Sequence, residues 1–339
     1  MACGFDRKGA LGQPCAMTDG PQTDRAAQAD SPLSGGAIPG LAGAPAFVVP
    51  CGADGARLPV LVAVPHAGRR YPPELLARLR HPEQAALKLE DRLADELGRA
   101  LAEATGAALL VAEAPRAMID LNRHPADVDW TMFAGAAPQS RLAPPAGGRA
   151  AGGLGLVPRR LPGLGELWQG RPPVAEVEAR IASVHAPWHA CVAAELAALQ
   201  ARWGAALLVD LHSMPPLPAA PGAPRTQVVV GDRFGASCGG MLVAQAFSAL
   251  AGAGWLAAHN RPYAGGYTLD RHGMPARGRH AVQLEICRTT YLDAQLVAPG
   301  PGFAACVAML CALVRALGEA TAAMGSAQLA GGSCAQAAE

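Results

Sequence analysis

Two histidines follow apolar runs that are typical of buried strands, and together they predict a metal centre. His66 comes after VLVAVP, and His212 ends the run ALLVDLH. Ligands of open α/β sheets gather at the carboxyl ends of strands, so both imidazoles stand where a site is expected. Two neutral imidazoles, one carboxylate and a water are the usual composition of a catalytic zinc centre. The pair therefore predicts one zinc ion per chain, with another divalent metal as the alternative.

A zinc centre of this kind needs a carboxylate ligand, and several acidic residues could supply it. The adjacent pair Glu90 and Asp91 stands at the start of a predicted helix, where a carboxylate is free to point out of the fold. Three aspartates are held in reserve: Asp120, Asp127 and Asp210. Asp210, two residues before His212, could instead be a hydrogen-bond partner of that imidazole, although strand alternation points both side chains to the same face.

A zinc hydrolase also needs a base that accepts a proton from the attacking water. Glu285 lies inside the apolar run HAVQLEI, where burial would raise the pKa of its carboxyl group towards the working range. The alternative is an ion pair between Glu285 and Arg288. We predict that Glu285 is the catalytic carboxylate.

Two arginines stand in short polar runs that suit an acidic substrate. Arg123 closes the run DLNR, and Arg271 begins the run RHG after the glycine-rich PYAGGY. A guanidinium beside a hydrolytic metal can clamp a substrate carboxylate or stabilise developing oxyanion charge. We therefore predict a catalytic role for Arg123 and a substrate-binding role for Arg271, with an ordinary salt bridge as the alternative for each.

Neighbouring residues complete the predicted substrate side. Gly265 and Gly266 can let the backbone approach a ligand, although a hairpin turn would use the same pair. The further polar candidates are Asn122, Tyr267, Asn260 and His280. His185 and His189 have the spacing of a metalloprotease helix, but no Glu follows the first histidine and Pro187 interrupts the turn. We expect these two histidines to pack or to face the substrate.

The bulk composition excludes several classes of partner. The chain has 339 residues with 28 basic and 27 acidic side chains and no basic stripe, so nucleic acid is not an expected partner. Nine scattered cysteines without a C-x-x-C pair indicate reduced thiols. The amino terminus lacks an apolar leader, and no run of about eighteen uncharged apolar residues occurs, so we expect a cytoplasmic protein without a membrane span. The sequence makes no prediction of oligomeric state.

Short apolar runs alternate with amphipathic stretches, which is typical of an α/β domain whose sheet is covered on both faces. The predicted strands are 58–64, 108–113, 117–122, 206–212, 226–231 and 280–286. The predicted helices are 90–104, 174–202, 239–251 and 302–323. We place a low-complexity tail at 1–45, one domain at 46–327 with a variable loop excursion at 135–173, and a flexible tail at 328–339.

Six motifs, in order, resemble the N-formylglutamate amidohydrolase family: VPHAG, IDLNRHP, VDLHSMP, GDRFGASC, NRPYAGGYTLDRHG and HAVQLEICRTTYLD. They extend from about residue 58 to 293, which is most of the part predicted to be ordered. The chain departs from the family pattern at Ala67, where a Ser is often found, and at Glu90-Asp91-Arg92, which replaces a Thr-Asp-Trp run.

The resemblance implies a three-layer α/β/α fold with a mixed, largely parallel central sheet, phosphorylase/hydrolase-like and related to zinc carboxypeptidases and aspartoacylases. It also implies hydrolysis of N-formyl-L-glutamate, a small acidic N-acyl amino acid, to formate and L-glutamate, a step in histidine breakdown. By the same resemblance, His66 and His212 are similar to the metal histidines, Asp91 to the acidic ligand and Glu285 to the catalytic carboxylate.

Two other interpretations stay open. The chain could be another zinc hydrolase of the same fold, an N-acyl amino acid deacylase or a carboxypeptidase-like enzyme, which a substrate panel would distinguish. It could instead be a catalytically inactive ligand-binding relative, which a purified protein without bound metal would indicate. The presence of two histidines, a carboxylate ligand and a glutamate base favours an active enzyme.

Overall fold

Short, mostly apolar runs form the strands of one mixed sheet, and two short segments form a separate hairpin. The computed structural model describes residues 33–138 and 145–336. The strands are β1 (Leu33–Gly35), β2 (Phe47–Cys51), β3 (Val60–Val64), β4 (Ala108–Ala112), β5 (Arg160–Leu161), β6 (Gly165–Glu166), β7 (Ala206–Met214), β8 (Val228–Gly231), β9 (Ala257–His259) and β10 (Arg279–Cys287). Eight of them form one sheet in the order β1-β2-β4-β3-β7-β10-β8-β9, and β5 pairs with β6.

The centre of the sheet is parallel. Strands β4, β3, β7 and β10 run parallel to one another, β8 pairs antiparallel with β10, and β9 lies parallel to β8. Strands β1 and β2 form an antiparallel edge beside β4. The predicted mixed, largely parallel sheet is therefore confirmed, and its parallel centre brings the carboxyl ends of the central strands to one edge.

Helices cover both faces of the sheet. They are α1 (Pro73–Arg78), α2 (Pro82–Leu89), α3 (Ala94–Thr105), α4 (Val174–Arg180), α5 (Ala186–Trp203), α6 (Gly240–Gly252), α7 (Tyr267–His272) and α8 (Phe303–Gln336). A π-helical turn, Ile181–His185, joins α4 to α5. Alternate residues of β3 enter two separate apolar cores: Leu61 shares one with Trp188 of α5, whereas Val62 shares the other with Leu97 of α3. These two cores make the three-layer α/β/α fold.

One face of the two central strands changes from apolar to polar towards the carboxyl end, and this change positions the site. On β7, Leu208 belongs to an apolar core, and Asp210 and His212 follow on the same face. On β10, Ala281 belongs to that core and Glu285 follows on the same face. Because β7 and β10 are parallel neighbours, Glu285 pairs directly with His212.

Several short elements differ from the sequence prediction. The run 117–122, predicted as a strand, forms turns, in which the Met118 amide donates to the Pro115 carbonyl at 2.9 Å. Its apolar side chains are buried in the same core as Trp188, so their burial produced a strand-like pattern without a strand. The sequence did not predict several short elements, because segments this short do not show a clear hydrophobic period. They include strands β1, β2 and β9 and helices α1, α2 and α7.

The folded unit begins earlier and ends later than predicted. Strand β1 pairs Leu33 with Val49, so the segment 33–45 is not entirely a tail, and α8 continues to Gln336 through most of the predicted carboxyl-terminal tail. The excursion at 135–173 packs as part of the domain, because Leu156 and Trp168 are buried in one of the apolar cores. The remaining residues of these predicted segments, 1–32, 139–144 and 337–339, lie outside the described residues.

Helix α8 is long and apolar enough, by length and composition alone, to cross a membrane over Phe303–Ala330. Within the fold, Leu310, Val314 and Leu317 of this helix are buried in the apolar core that also contains Val62. The helix therefore forms part of the layer that covers one face of the sheet.

Candidate active site

Three side chains from separate segments converge at the carboxyl end of the parallel strands. His66 follows β3, and its carbonyl accepts a hydrogen bond from the Asp91 amide at 2.9 Å. His212 lies near the end of β7. All three residues are buried. The fold thus brings together the two histidines and one of the two carboxylates that the sequence offers as metal ligands.

The distances between their ligand atoms suit a single metal ion. His212 Nδ1 lies 3.1 Å from His66 Nδ1 and 3.2 Å from Asp91 Oδ2, and His66 Nδ1 lies 3.5 Å from Asp91 Oδ2. Ligand atoms at about 2.0–2.1 Å from a tetrahedral zinc ion are about 3.3 Å apart. In the described part of the chain, His66, Asp91 and His212 form the one group of His, Cys, Asp and Glu side chains arranged to hold a metal ion.

The far side of each histidine ring is held by a carboxylate. His66 Nε2 lies 2.7 Å from Asp120 Oδ1, and His212 Nε2 lies 2.9 Å from Asp210 Oδ2. Carboxylates in these positions accept the ring N–H groups, which leaves both Nδ1 lone pairs facing each other and Asp91. Three lone-pair-bearing atoms this close together are stabilised by a cation between them, so the residues fit a bound metal.

The surrounding charges keep the site carboxylates ionised. Burial alone would raise the pKa of Asp120, but Arg116, His66 and Arg123 outweigh it and hold that pKa well below its usual range. Burial would likewise raise the pKa of Asp91, but the adjacent His212 and His66 outweigh it and hold that pKa well below its usual range. Both carboxylates therefore carry a negative charge at neutral pH.

The structure resolves the choice between the adjacent residues Glu90 and Asp91. The Glu90 carboxylate accepts hydrogen bonds from the Tyr71 hydroxyl and from Arg92, each at 2.9 Å, so it is occupied away from the histidines. Asp91 directs Oδ2 to the histidines, while its Oδ1 accepts a hydrogen bond from Ser213 Oγ at 2.9 Å. Asp91 is therefore the carboxylate that can bind the metal.

The reserve aspartates have other partners. Asp120 and Asp210 stand behind the histidine rings, as described above. Asp127 accepts hydrogen bonds from the backbone amides of Arg149 at 2.8 Å and Ala150 at 2.9 Å. It therefore shapes a loop of the cleft and contributes no ligand to the metal site.

Glu285 lies beside the metal ligands and is largely buried. Its Oε1 accepts a hydrogen bond from Gln283 Nε2 at 2.8 Å. Burial raises the pKa of Glu285 to about 8, with Asp91 adding to the rise and His212 opposing it. Among the described contacts, Arg288 donates to Ser213, to backbone carbonyls and, at 3.4 Å, to Asp91 Oδ1, and it forms no ion pair with Glu285. The carboxylate is therefore free to exchange a proton.

The metal site opens into a cleft of about 1150 Å³, slightly larger than the roughly 300–1,000 Å³ of most small-molecule sites. The lining residues that were predicted for the site are His66, Asp91, Asn122, Arg123, His212, Asn260, Gly265, Gly266 and Glu285. The other charged lining residues are Lys88, Arg116, Arg149, Arg233, Arg261 and Arg288. Positive side chains thus outnumber the two lining carboxylates, so the cleft suits an acidic ligand.

Asn122 contacts both the candidate metal ligand His212 and the segment that contains Gly266, which also lines the cleft. Asn122 Nδ2 donates to Gln283 Oε1 at 3.0 Å and lies 3.3 Å from His212 Nε2, and its Oδ1 accepts from the Thr268 amide at 2.9 Å. A Cβ atom at Gly266 would lie 2.5 Å from that Oδ1. The glycine is therefore needed for the close approach of the loop to Asn122.

Two arginines flank Asp120 in the cleft. Arg123 donates from Nε to the Leu154 carbonyl at 2.8 Å and from Nη1 to the Asn122 carbonyl at 3.1 Å, which leaves its Nη2 without a partner among the described residues. Arg116, which the sequence analysis missed, donates from Nε and Nη2 to Asp120 Oδ2, each at 2.9 Å. The spacing of four residues between Arg116 and Asp120 was the signal available in the sequence.

Three predicted substrate-side residues lie elsewhere. Arg271 donates to the Tyr267 hydroxyl at 2.8 Å, and neither residue lines the cleft. His280 accepts a hydrogen bond from the Gly239 amide at 3.2 Å. It precedes Glu285 by five residues on β10, which is an odd number, so strand alternation turns its side chain to the opposite face of the sheet.

His185 and His189 support the backbone of the site. His185 Nε2 lies 2.9 Å from the Arg123 carbonyl, and His189 Nε2 lies 2.9 Å from the Leu121 carbonyl. His189 Nδ1 is also 3.0 Å from Nε2 of His272. Their i, i+4 spacing therefore serves hydrogen bonding to one turn of backbone, in agreement with the prediction that they pack.

Comparison with known sequences identifies relatives over most of the chain. The family model described as N-formylglutamate amidohydrolase matches residues 58–292. An N-formylglutamate deformylase from Pseudomonas aeruginosa is 33% identical over 246 residues, which cover 70% of this chain and 84% of the relative. One from Pseudomonas putida is 31% identical over 241 residues, with 70% and 83% coverage.

Solved structures agree with these matches. The crystal structure of an N-formylglutamate amidohydrolase from Ralstonia eutropha is similar with a TM-score of 0.71 and 29% identity, covering 84% of this chain and 99% of that one. A protein from Agrobacterium tumefaciens, at 20% identity and a TM-score of 0.57, shares the fold and covers 82% of this chain and 96% of that one. The predicted family, α/β fold and enzyme class are confirmed, and the chain belongs to the N-formylglutamate amidohydrolase family.

Proposed function

We propose that the protein is a zinc-dependent deformylase that hydrolyses N-formyl-L-glutamate to formate and L-glutamate. One observation carries the proposal: His66 Nδ1, His212 Nδ1 and Asp91 Oδ2 converge within 3.5 Å of one another at the head of a cleft that also exposes Glu285. The similar Pseudomonas proteins are named N-formylglutamate deformylases, which supports the choice of substrate.

The donor set fits zinc, since two imidazole nitrogens and one carboxylate leave a fourth tetrahedral position for water. A zinc ion held by His66, Asp91 and His212 would lower the pKa of its water and polarise the formyl carbonyl. Asp120 and Asp210 keep the two imidazoles in the tautomer that offers Nδ1 to the metal.

Glu285 moves the proton in this reaction. It accepts a proton from the attacking water as the oxygen bonds to the formyl carbon, and it delivers that proton to the leaving nitrogen as the C–N bond breaks. Burial raises the pKa of Glu285 to about 8, and positive charge in the adjacent metal site would lower it towards neutrality. A base with a pKa in that range can both accept and return a proton at neutral pH.

The arginines that line the cleft can bind the carboxylates of an acidic substrate. Arg123 has a free Nη2 in the cleft, and the guanidinium groups of Arg149 and Arg261 make no hydrogen bond or ion pair with any described residue. A substrate with two carboxylates can therefore find donors without breaking existing ion pairs. We propose that Arg123 binds the α-carboxylate of the substrate and that the exposed Arg149 and Arg261 bind its side-chain carboxylate.

A substrate panel on metal-analysed protein tests the proposal. We expect about one zinc ion per chain and a kcat/KM for formate release from N-formyl-L-glutamate at least about tenfold above that for N-formyl-L-glutamine or N-acetyl-L-glutamate, because one lost charge contact or a larger acyl group costs about 1.4 kcal/mol or more. Faster hydrolysis of the acetyl compound would favour the N-acyl amino acid deacylase instead. A protein that binds no metal and releases no formate would be the inactive relative.

A further inference from the structure

The loop Asn260–Gly266 lines the cleft together with the candidate metal ligands, and it carries a tyrosine to which the proposed reaction assigns no role. This residue is Tyr263, which lines the cleft. We propose that Tyr263 is a further catalytic residue, whose hydroxyl donates a hydrogen bond to the carbonyl oxygen of the scissile amide as negative charge develops there. The inference rests on the proposed amide hydrolysis and adds a residue to it.

The packing of the Tyr263 ring places it beside the reacting groups. The Tyr263 side chain packs against a small buried cluster of Met214, Val229 and Cys287, which belong to the neighbouring strands β7, β8 and β10. Met214 follows His212 by two residues on β7, and Cys287 follows Glu285 by two residues on β10. Residues two apart in a strand share a face and are about 7 Å apart. The side chain of Tyr263 therefore packs on the catalytic face, against strand residues two positions beyond the metal histidine and the base.

The hydroxyl of Tyr263 is available as a donor. It makes no hydrogen bond within the described residues, and the side chain is only partly buried. Burial raises the pKa of Tyr263, Glu285 adds to the rise, and Arg288 and Arg116 oppose it, so the group stays protonated at neutral pH. A neutral hydroxyl in this position can donate a hydrogen bond but cannot act as a base.

The loop that carries Tyr263 is anchored on both sides of it. Asn260, in a left-handed backbone conformation, accepts from the Asp232 amide at 3.0 Å and donates from Nδ2 to Asp232 Oδ1 at 2.6 Å. On the other side, the Arg233 amide donates to the Ala264 carbonyl at 2.8 Å. These contacts come from the GDRFGASC motif and give it a role in holding the loop. A donor fixed before the reaction needs no reorganisation as charge develops.

The variant Tyr263→Phe tests this role with minimal change, since it removes the hydroxyl and leaves the ring on Met214 and Cys287. We expect kcat for formate release from N-formyl-L-glutamate to fall about 10²-fold, the size of the loss of one oxyanion donor, with KM changed less than about threefold. Zinc content and the thermal unfolding midpoint should match those of the wild type. A kcat within about threefold of wild type overturns the proposal, and a fall in affinity alone would show a binding role instead.

Tyr267→Phe is the matched comparison, because it removes a hydroxyl from the same motif at a position outside the cleft. We expect its kcat to stay within about twofold of wild type; an equal loss in both variants would show that the loop as a whole, not the Tyr263 hydroxyl, is responsible. The two proposals fail separately. Absence of wild-type activity on N-formyl-L-glutamate overturns the proposed substrate, and the variant pair is then compared on whichever N-acyl amino acid of the panel the wild type hydrolyses.

Discussion

The two sides of the cleft differ in how their polar groups are held. The metal side consists of the three proposed metal ligands and the carboxylates behind them, and each of its side chains has a buried partner within about 3.2 Å. The loop side consists of Arg149, Arg261 and Tyr263, whose side chains make no hydrogen bonds to other described residues. The metal side is thus fixed before substrate arrives, whereas the loop side keeps donors free for it.

This difference predicts different kinetic consequences. Groups that are fixed around the reacting atoms contribute in the transition state, so their loss should lower kcat. Exposed groups that meet the substrate elsewhere contribute to binding, so their loss should raise KM. Tyr263 has features of both sides. Its hydroxyl has no partner among the described residues, like the loop side, but its side chain packs against the cluster that contains Cys287, two residues beyond Glu285. Variants on each side can therefore break or sharpen the comparison.

The largest effect is expected from Glu285→Gln. The amide keeps the shape and can still accept the hydrogen bond from Gln283, but it cannot take a proton from water. We expect kcat to fall by at least about 10³-fold, in the range lost with a general base, while the bound zinc stays near one ion per chain. Formate release and metal analysis of the same sample measure both quantities.

The matched control for this variant is Glu166→Gln, since Glu166 is an exposed carboxylate that pairs with Arg159 outside the cleft. It should keep wild-type kcat. Turnover by Glu285→Gln within tenfold of wild type would remove Glu285 from the role of base and would leave the metal side without an identified proton acceptor.

A smaller effect is expected from Asp210→Asn, which tests whether the carboxylate behind His212 contributes to metal affinity. The substitution removes the negative charge 2.9 Å from His212 Nε2. Partners behind metal-binding histidines are typically worth about 10–100-fold in metal affinity, so we expect the zinc dissociation constant to rise by that factor. Competition with a chromophoric chelator measures it.

Asp54→Asn serves as the control, because Asp54 is exposed and far from the cleft lining. Unchanged zinc affinity in Asp210→Asn would mean that the hydrogen bond does not tune the ligand. The metal side would then be less tightly organised than its geometry indicates.

The sequence was sufficient for the strand-borne part of the site. His212 and Glu285 were predicted because each interrupts an apolar run at a position where alternation and the parallel sheet fix its direction. The contact between Asp210 and His212 joins two side chains on one face of β7, whereas alternation alone did not predict that they would meet. Strand alternation also excludes His280 from the catalytic face, because it is five residues from Glu285 on the same strand. The sequence alone could therefore have removed His280 from the substrate-binding candidates.

The site residues that lie on loops depend on tertiary contacts, which the hydrophobic periodicity of the sequence does not predict. Glu90 and Asp91 are adjacent carboxylates, and only the partners Tyr71 and Arg92 show that Glu90 is engaged elsewhere. Tyr263 and Tyr267 belong to one motif, and the turn between them decides which reaches the cleft. Loop directions of this kind follow from tertiary anchors such as the pair Asp232 and Asn260, which are distant in sequence.

The smallest effect is expected on the loop side, from Arg261→Ala. Arg261 is exposed, lines the cleft and has no partner among the described residues, so it can meet the side-chain carboxylate of the substrate. An exposed charge contact contributes about 1 kcal/mol, so KM for N-formyl-L-glutamate should rise about fivefold with kcat nearly unchanged. The neutral analogue N-formyl-L-glutamine should show no such rise, because the contact depends on the carboxylate.

Steady-state kinetics at two salt concentrations, with the exposed Arg99→Ala as control, should show the effect shrink as salt screens it. An equal rise in KM for both substrates would mean that Arg261 does not bind the side-chain charge, and a fall in kcat instead would place it with the fixed groups of the metal side.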